Sequence, residues 1–228
     1  HAQRMIEEGV DILDIGGEST RPWGYTRISD EEEISRVAPV IEALKKRFDI
    51  PLSVDTYKSG VASAAIAAGA DLINDIWGLK ADEKMAEVIA KAKLPSCLMH
   101  NRETVEYNNF LEDVVSDLQE TLNIAKKAGI SKDTIILDPG VGFAKNYEQN
   151  LAITNHLEVL DTLGCPVLLG TSRKSMIGLT LDLPSDQREE GTMVTTVWAV
   201  QKGCMFVRVH NVQVNVRAIK MAEALLRN

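Results

Sequence analysis

The feature that most constrains this chain is a repeating alternation of short apolar segments with longer amphipathic stretches. Each apolar segment contains β-branched residues and is bounded by residues that favour turns, which is typical of a buried strand. Seven such segments predict strands over residues 10–15, 51–55, 71–76, 95–99, 134–138, 166–170 and 206–210. The stretches between them have helical periodicity. Alternation of this kind indicates parallel strands joined by crossover helices.

The number of strands bears on the choice between two parallel architectures. We count seven strands and eight helices, and the first helix, over residues 2–8, has no strand before it. A (β/α)8 TIM barrel has eight strands. We therefore expect such an α/β barrel, with the first strand and its loop lacking in this chain. An open doubly wound sheet is the alternative, because it needs no eighth strand.

Length and composition limit the function classes. The 228 residues suit a single domain over residues 1–228, and the net charge of −8 argues against binding to a phosphate backbone. Three cysteines, Cys97, Cys165 and Cys204, form no metal-spaced pair and suit a reducing cytoplasm. No apolar run approaches the roughly 18 residues of a membrane helix. We expect a cytoplasmic protein that binds neither nucleic acid nor membrane.

Polar side chains end most of the predicted strands, at Asp14, Asp55, Asn74 with Asp75, His100, Asp138, and Arg208 with His210. In a barrel, the carboxyl ends of the strands carry the catalytic residues. A single aspartate there is often a helix cap or a turn residue, and Asp14 and Asp75 are candidates for that role. Six polar strand ends at one mouth indicate a ligand or a network, because buried charge is costly unless it is paired.

Two cations at the last strand end and a third in the preceding loop predict an anion site. Arg208 and His210 alternate along residues 207–210, so that their side chains share one face of the strand. Lys174 lies in the preceding strand-to-helix loop, before a short helical segment whose N–H groups would add to the site. Barrels often bind phosphate in the loops of their last two strands. A doubly charged or pyrophosphate group would fit, although Arg208 could instead pair with a carboxylate of the barrel.

The polar groups Asp55, Asn74 and Asp138 favour a different ligand chemistry. Carboxylates accept hydrogen bonds, and an amide both donates and accepts them. The set suits a flat heterocycle with an amino group beside a ring N–H and a carbonyl, and a 2-amino-4-oxo pterin edge fits. The residue types alone predict a polar heterocycle joined to phosphate.

Six segments in order along the chain resemble the signature of the dihydropteroate synthase family. They are DIGGESTRP at residues 14–22, SVDT at 53–56, INDI at 73–76, LDPG at 137–140, SRKS at 172–175 and RVH at 208–210. The resemblance covers essentially the whole chain. It implies a transferase that joins 6-hydroxymethyl-7,8-dihydropterin pyrophosphate to 4-aminobenzoate, with release of pyrophosphate.

The resemblance also implies roles for individual residues. Asp55, Asn74, Asp138 and Lys174 would hold the pterin, and Arg208 and His210 the pyrophosphate, with Asp55, Lys174, Arg208 and His210 as the catalytic set. Thr20, Arg21, Pro22 and Ser175 would shape the aminobenzoate pocket. Met99 and Phe143 would be apolar contacts near the ring, and Ile76 a further substrate contact. Family members are targets of sulfonamides, which imitate 4-aminobenzoate, and they are commonly homodimers.

Several features depart from the family pattern or stay open. Trp23 stands where glycine is usual, and Asn211 where aspartate is usual. The family's first strand and loop supply an asparagine that helps to bind Mg²⁺, and that ligand is absent from this chain. We therefore expect Mg²⁺ to bind together with the substrate pyrophosphate, with no protein metal ligand. The apolar residues Val194, Val197, Trp198 and Val200 could be core or dimer interface, and core is preferred.

Other functions remain as alternatives. A pterin-binding methyltransferase domain would share the aspartate and asparagine set but has no need of Lys174 or of Arg208 with His210. An aldolase with Lys174 as Schiff-base lysine would be expected to carry that lysine within a strand. A pterin-binding barrel without turnover is the non-enzyme alternative.

Overall fold

The computed structural model describes residues 1–19 and 26–227, which form seven strands and nine α-helices. The strands are β1 Leu13–Gly16, β2 Leu52–Asp55, β3 Leu72–Asp75, β4 Ser96–Met99, β5 Ile135–Asp138, β6 Leu168–Leu169 and β7 Phe206–Val207. The helices are α1 Ala2–Glu7, α2 Asp30–Lys45, α3 Ser59–Ala68, α4 Met85–Ala92, α5 Phe110–Ala128, α6 Tyr147–Asn155, α7 Ser175–Leu181, α8 Glu189–Gln201 and α9 Val212–Leu226. Short 3₁₀ helices cover Lys132–Thr134, Leu157–Leu163 and Ser185–Gln187.

All the strand pairs are parallel. Strands β1 to β5 form one sheet in chain order, β6 pairs with β7, and a bridge between Leu137 and Val167 connects the two groups. The seven predicted strands are confirmed, and consecutive strands are neighbours, as in a barrel and unlike a doubly wound sheet. The described residues contain one helix more than the eight expected, with both α7 and α8 lying between β6 and β7.

Local sequence signals fix the ends of several helices. The Ser29 hydroxyl accepts a hydrogen bond from the Glu32 N–H at the start of α2, and the first turn of that helix is acidic, which suits its dipole. Asn146 and Gln149 form a reciprocal capping box at the start of α6. Gly129 ends α5 with φ of +86°, a left-handed conformation that favours glycine.

The core lies between the strands and the surrounding helices. All four residues of β2, of β4 and of β5 are buried, as expected where helices cover a parallel sheet. The largest fully buried side chains are aliphatic or methionine: Ile41, Leu52, Ile73, Met85, Ile89, Leu98, Leu118, Ile135, Leu137, Ile153, Leu157 and Leu160. None of the helices in the described ranges is both long enough and apolar enough to cross a membrane.

Four apolar residues of α8, Val194, Val197, Trp198 and Val200, were expected in the core, and this prediction is wrong for two of them. Val194 is 64% exposed and Trp198 is 36% exposed, whereas Thr192, Thr196 and Ala199 form the buried side of α8. Helix α8 packs against α9, and the Thr196 hydroxyl donates to the Asn215 side-chain oxygen at 2.6 Å. Small side chains therefore face inward, and larger apolar ones face solvent.

Candidate active site

Arg208 links the two ends of the strand series. Its Nε lies 2.6 Å from Asp14 Oδ2, and its Nη2 lies 2.8 Å from Asp55 Oδ2. Strand β7 ends at Val207, not at residue 210 as expected, but the Arg208 N–H still donates to the Leu169 carbonyl. The two carboxylates close around the guanidinium, so Arg208 is paired, and Asp14 belongs to the site and is not simply a cap.

Asp55 is the most perturbed carboxyl of the site. Burial, followed by the charge of Asp14, raises the pKa of Asp55 to about 7, against the opposing effect of Arg208. Within residues 1–19 and 26–227, Asp14 Oδ1 and Asp55 Oδ1 are buried without a hydrogen-bond partner. Buried polar atoms are normally satisfied. These two oxygens are therefore suited to accept hydrogen bonds from a ligand.

Asn74 on β3 and Asp138 on β5 lie at the carboxyl ends of two strands that β4 separates, and both residues are buried. Asp138 Oδ1 accepts a hydrogen bond from the Gly140 N–H at 2.7 Å. Burial raises the pKa of Asp138, although Lys174 and the Gly140 N–H oppose the shift. Asp55, Asn74 and Asp138 all come from strands whose carboxyl ends meet at one side of the barrel, as expected.

Lys174 directly precedes α7 and stands over the Phe143 ring, with its Nζ 4.8 Å from the ring centroid. Its ammonium donates a hydrogen bond to the Val141 carbonyl. Burial lowers the pKa of Lys174 to about 8, although Asp138 and Asp55 favour the charged form. Lys174 therefore joins the loop after β5 to the loop after β6.

His210 is exposed and held by Ser172. Ser172 Oγ lies 2.8 Å from His210 Nδ1 and also accepts a hydrogen bond from the His210 backbone N–H at 3.2 Å. Since Oγ accepts from that N–H, its own proton can point to Nδ1, which favours a proton on Nε2 in the neutral ring. Ser172 is a supporting residue that the sequence reasoning did not assign.

A small apolar cluster separate from the main core contains Ile76 and Met99, with Phe143 packed against it. The structure thus brings together the three apolar contacts that the resemblance implied. Two aromatic residues that were not predicted, Tyr57 and Trp77, belong to the same cluster. Each follows a strand end by two residues, a position that could have indicated them. A cavity of about 720 Å³ opens beside Tyr57 and Trp77.

Other predicted residues fall into three groups. Thr20, Arg21 and Pro22, with Trp23, lie outside the described residues. Ser175 is the exposed first residue of α7. Asp75 is structural, as anticipated, because its carboxylate accepts hydrogen bonds from the Trp77 and Leu79 N–H groups.

Two ionic features were not foreseen. A buried Lys58 contacts Glu18 and Glu33, each at 2.7 Å. His100, expected at the mouth, instead bonds Asp117 and Lys145. Their partners are remote in sequence, so no local pattern could reveal them. Across the part of the chain that the structure describes, no three His, Cys, Asp or Glu side chains lie together as a metal site.

The fold and the site together define a parallel α/β-barrel enzyme whose mouth offers carboxylates beside cations. A family model described as pterin binding enzyme matches residues 1–210. A dihydropteroate synthase from Clostridium beijerinckii is 59% identical over 228 residues, which cover all of this chain and 84% of that protein. The chain therefore belongs to the dihydropteroate synthase family of pterin binding enzymes.

Solved structures agree with this assignment. A dihydropteroate synthase from Clostridium difficile, in the presence of pteroic acid, is 44% identical with a TM-score of 0.97, covering all of this chain and 87% of that one. The Yersinia pestis enzyme with a sulfonamide drug is 42% identical with a TM-score of 0.96, covering all of this chain and 85% of that one. The chain has the TIM-barrel fold of these enzymes.

Proposed function

We propose that this chain condenses 6-hydroxymethyl-7,8-dihydropterin pyrophosphate with 4-aminobenzoate, forming dihydropteroate and releasing pyrophosphate in folate biosynthesis. The observation that carries the proposal is the position of Arg208 between Asp14 and Asp55, beside Lys174 and Asp138. This juxtaposition supports a site that binds an anion beside a heterocycle. Family membership supports the same reaction. The proposed unit is one pterin-binding domain over residues 1–228.

The carboxylate side of the mouth would bind the pterin. Asp55 and Asp138 would accept hydrogen bonds from the amino group and the ring N–H, and Asn74 would complement the remaining donor and acceptor edge. Such donors favour the ionised carboxylate and so oppose the effect of burial on the pKa of Asp55. Ile76, Met99 and Phe143 would pack against the flat ring, and Lys174 would reach a carbonyl or ring nitrogen.

The cationic side would stabilise the leaving group. As the C–O bond at the methylene breaks, the bonding electron pair goes to pyrophosphate, and preorganised cations stabilise the charge that develops there. Arg208 and His210 are proposed for this role, with Lys174 nearby. The neutral arylamine of 4-aminobenzoate supplies the electron pair of the new N–C bond and then releases a proton to solvent. Asp55 and Asp138 would offset positive charge on the pterin.

Mg²⁺ is proposed to enter with the substrate, bound to the pyrophosphate oxygens, which are the hard ligands that Mg²⁺ prefers. Bound there, it would neutralise part of the leaving-group charge.

The remaining substrate pocket is proposed from the family pattern. Thr20, Arg21, Pro22 and Ser175 would surround 4-aminobenzoate. Sulfonamides, one of which is bound in the Yersinia pestis relative, would compete for the same place.

Pyrophosphate release tests this function. The chain is assayed with dihydropterin pyrophosphate and Mg²⁺, with and without 4-aminobenzoate, and we expect release to depend on 4-aminobenzoate. Arg208→Ala and His210→Ala should each lower turnover about 100-fold or more, as expected when a charge-stabilising donor is lost. Arg227→Ala, at a side chain 76% exposed at the end of α9, is the matched control. Near-normal turnover in both site variants would exclude the proposed role, and binding of dihydropterin pyrophosphate without release would indicate a non-catalytic pterin-binding barrel.

We also infer a homodimer from the exposed apolar residues of the last helices. Leu179 on α7, Val194 on α8 and Met221 on α9 are each more than half exposed. Helix α8 packs against both α7 and α9, and apolar side chains exposed on adjacent helices often mark a protein contact. Sedimentation at micromolar concentration tests this inference, and a single species of 25.1 kDa would contradict it.

A further inference from the structure

Lys145 is a buried lysine that the proposed chemistry does not use. It immediately precedes the cap of α6, and only 9% of the residue is exposed. Its Nζ lies 2.8 Å from His100 Nδ1, 3.1 Å from the Gly140 carbonyl oxygen and 3.1 Å from the Phe143 carbonyl oxygen. An ammonium has three N–H donors. The three neighbouring acceptors therefore match the charged form of Lys145.

A second layer fixes the histidine that faces this ammonium. His100 is 2% exposed, and its Nε2 lies 2.9 Å from Asp117 Oδ2. Arg102 holds the same carboxylate through Nε at 2.5 Å and Nη2 at 3.1 Å. Burial lowers the pKa of His100 to about 4, so the ring is neutral near pH 7. A proton on Nε2 then satisfies Asp117, and Nδ1 accepts from Lys145.

The two carbonyls that Lys145 binds belong to the loop after β5. In that loop the Gly140 N–H holds Asp138 Oδ1, and the Phe143 N–H donates to the Gly140 carbonyl. Gly140 has φ of +71°, and a Cβ there would lie 1.9 Å from the His100 carbonyl oxygen. The loop is thus fixed against β4 on one side and by Lys145 on the other.

We propose that Lys145 is a positioning residue of the pterin site, whose ammonium binds the Gly140 and Phe143 carbonyls and thereby places the Asp138 carboxylate and the Phe143 ring. The assignment of a pterin to these two groups rests on the proposed function. The placement of the loop by Lys145 does not, because it follows from the hydrogen bonds alone.

The charges around Lys145 make this device sensitive to pH. Burial lowers the pKa of Lys145 to about 7; Asp138 on β5 and Asp117 on α5 favour the ammonium, whereas Lys174 and Arg102 oppose it. His100, which faces it from the end of β4, is neutral in this range. Tyr107, whose hydroxyl donates to the Ala144 carbonyl, is also neutral, because burial raises its pKa to about 12. As pH rises above 7, Lys145 loses a donor and one loop contact weakens.

The first test uses Lys145→Met, with Lys126→Met at an exposed lysine of α5 as the matched control. Pteroic acid affinity is measured by titration calorimetry at pH 6 and pH 8.5, together with kcat and KM for dihydropterin pyrophosphate. Lys145→Met should weaken pteroic acid binding tenfold or more at pH 6 and raise KM more than it lowers kcat. The ratio of wild-type to variant affinity should shrink at pH 8.5, where the side chain at position 145 is neutral in both proteins. Affinity within threefold of wild type at pH 6, or a ratio independent of pH, would overturn the proposal.

A second measurement needs neither a variant nor a ligand. Amide hydrogen exchange of the wild-type chain is followed at pH 6 and pH 8.5 and corrected for the intrinsic rates. From pH 6 to pH 8.5, protection should fall tenfold or more at three loop amides, those of Gly140, Gly142 and Phe143. The comparison is with the Leu98 amide in β4. Uniform protection across the two pH values would refute positioning by Lys145, even if Lys145→Met fails to fold. If the wild type releases no pyrophosphate but the loop responds, the proposed function fails and the positioning role stands.

Discussion

Replacing Lys58 by methionine should destabilise this protein more than any surface lysine substitution. Its Nζ lies 2.7 Å from Glu18 Oε2, 2.7 Å from Glu33 Oε2 and 2.8 Å from the Ile28 carbonyl oxygen. The Lys58 side chain is 5% exposed, and those of Glu18 and Glu33 are 2% and 1% exposed. Lys58→Met would leave two carboxylates buried without their cation.

The expected cost follows from that burial. Removing one partner of a buried ion pair costs about 3–5 kcal/mol, chiefly because the remaining charge is uncompensated. For a chain of this size, roughly 2–4 °C of melting temperature corresponds to 1 kcal/mol, so the midpoint should fall by roughly 6–20 °C. Lys46→Met is the matched control, since the Lys46 side chain is 78% exposed and its pairing with Glu42 should be worth about 1 kcal/mol or less.

The pH dependence identifies the cause. Burial alone would raise the pKa of Glu18, but hydrogen bonds from Lys58, the Ile28 N–H and Tyr57 lower it below its usual range. This stabilisation is therefore present above the pKa of unfolded Glu18 and is lost as pH falls through the lower folded value. Urea unfolding followed by circular dichroism should show a difference in unfolding free energy between wild type and Lys58→Met that narrows as pH falls from 5 toward 3. A loss no larger than that of Lys46→Met, or a gap unchanged with pH, would refute the reasoning.

Two further predictions concern the mouth. Burial and then Asp14 raise the pKa of Asp55 to about 7, so the stability that protonated Asp55 contributes is lost as pH rises through 7. The Asp55→Asn variant should therefore unfold at a higher urea concentration than wild type at pH 8, and this difference should shrink toward pH 4. The same variant should lose pteroic acid binding. Equal midpoints at both pH values would contradict this. In urea unfolding, Gly140→Ala should lower the free energy of unfolding by about 3 kcal/mol or more, because its Cβ would meet the His100 carbonyl oxygen. The control Gly129→Ala has a left-handed φ but nothing within 4 Å of the added Cβ, and it should lose about 1–2 kcal/mol. Equal losses in the two variants would show that the close approach at Gly140 is unimportant.

Much of the architecture could be predicted because the strands carry a strong local signal. Each of β2, β4 and β5 is an apolar run ending in a turn, and parallel strands place their carboxyl ends at one mouth. Asp55 and Asp138 follow directly from this rule. The extent of β7 could not be predicted, since the alternation of residues 207–210 continues beyond the last paired residue, Val207.

The side-chain pairings within the site could not be predicted from the sequence. Arg208 and Asp14 are separated by 194 positions, and only the arrangement of the strands in three dimensions brings them together. Lys145 and His100 likewise meet across two adjacent strand-to-helix loops. The side of α8 that faces the core could not be predicted either. Thr196 is buried and hydrogen-bonded to Asn215, whereas the more apolar Val194 is exposed to solvent.

The guanidinium between Asp14 and Asp55 gives the mouth its own internal counter-ion. In the proposed reaction, substrate binding would be a change of partners, in which Asp55 would turn to the heterocycle and Arg208 to the phosphates. Neither half of the substrate can make this change alone without leaving a charge uncompensated. The two halves of dihydropterin pyrophosphate should thus bind cooperatively, so that the intact molecule is selected over both free pterin and free pyrophosphate.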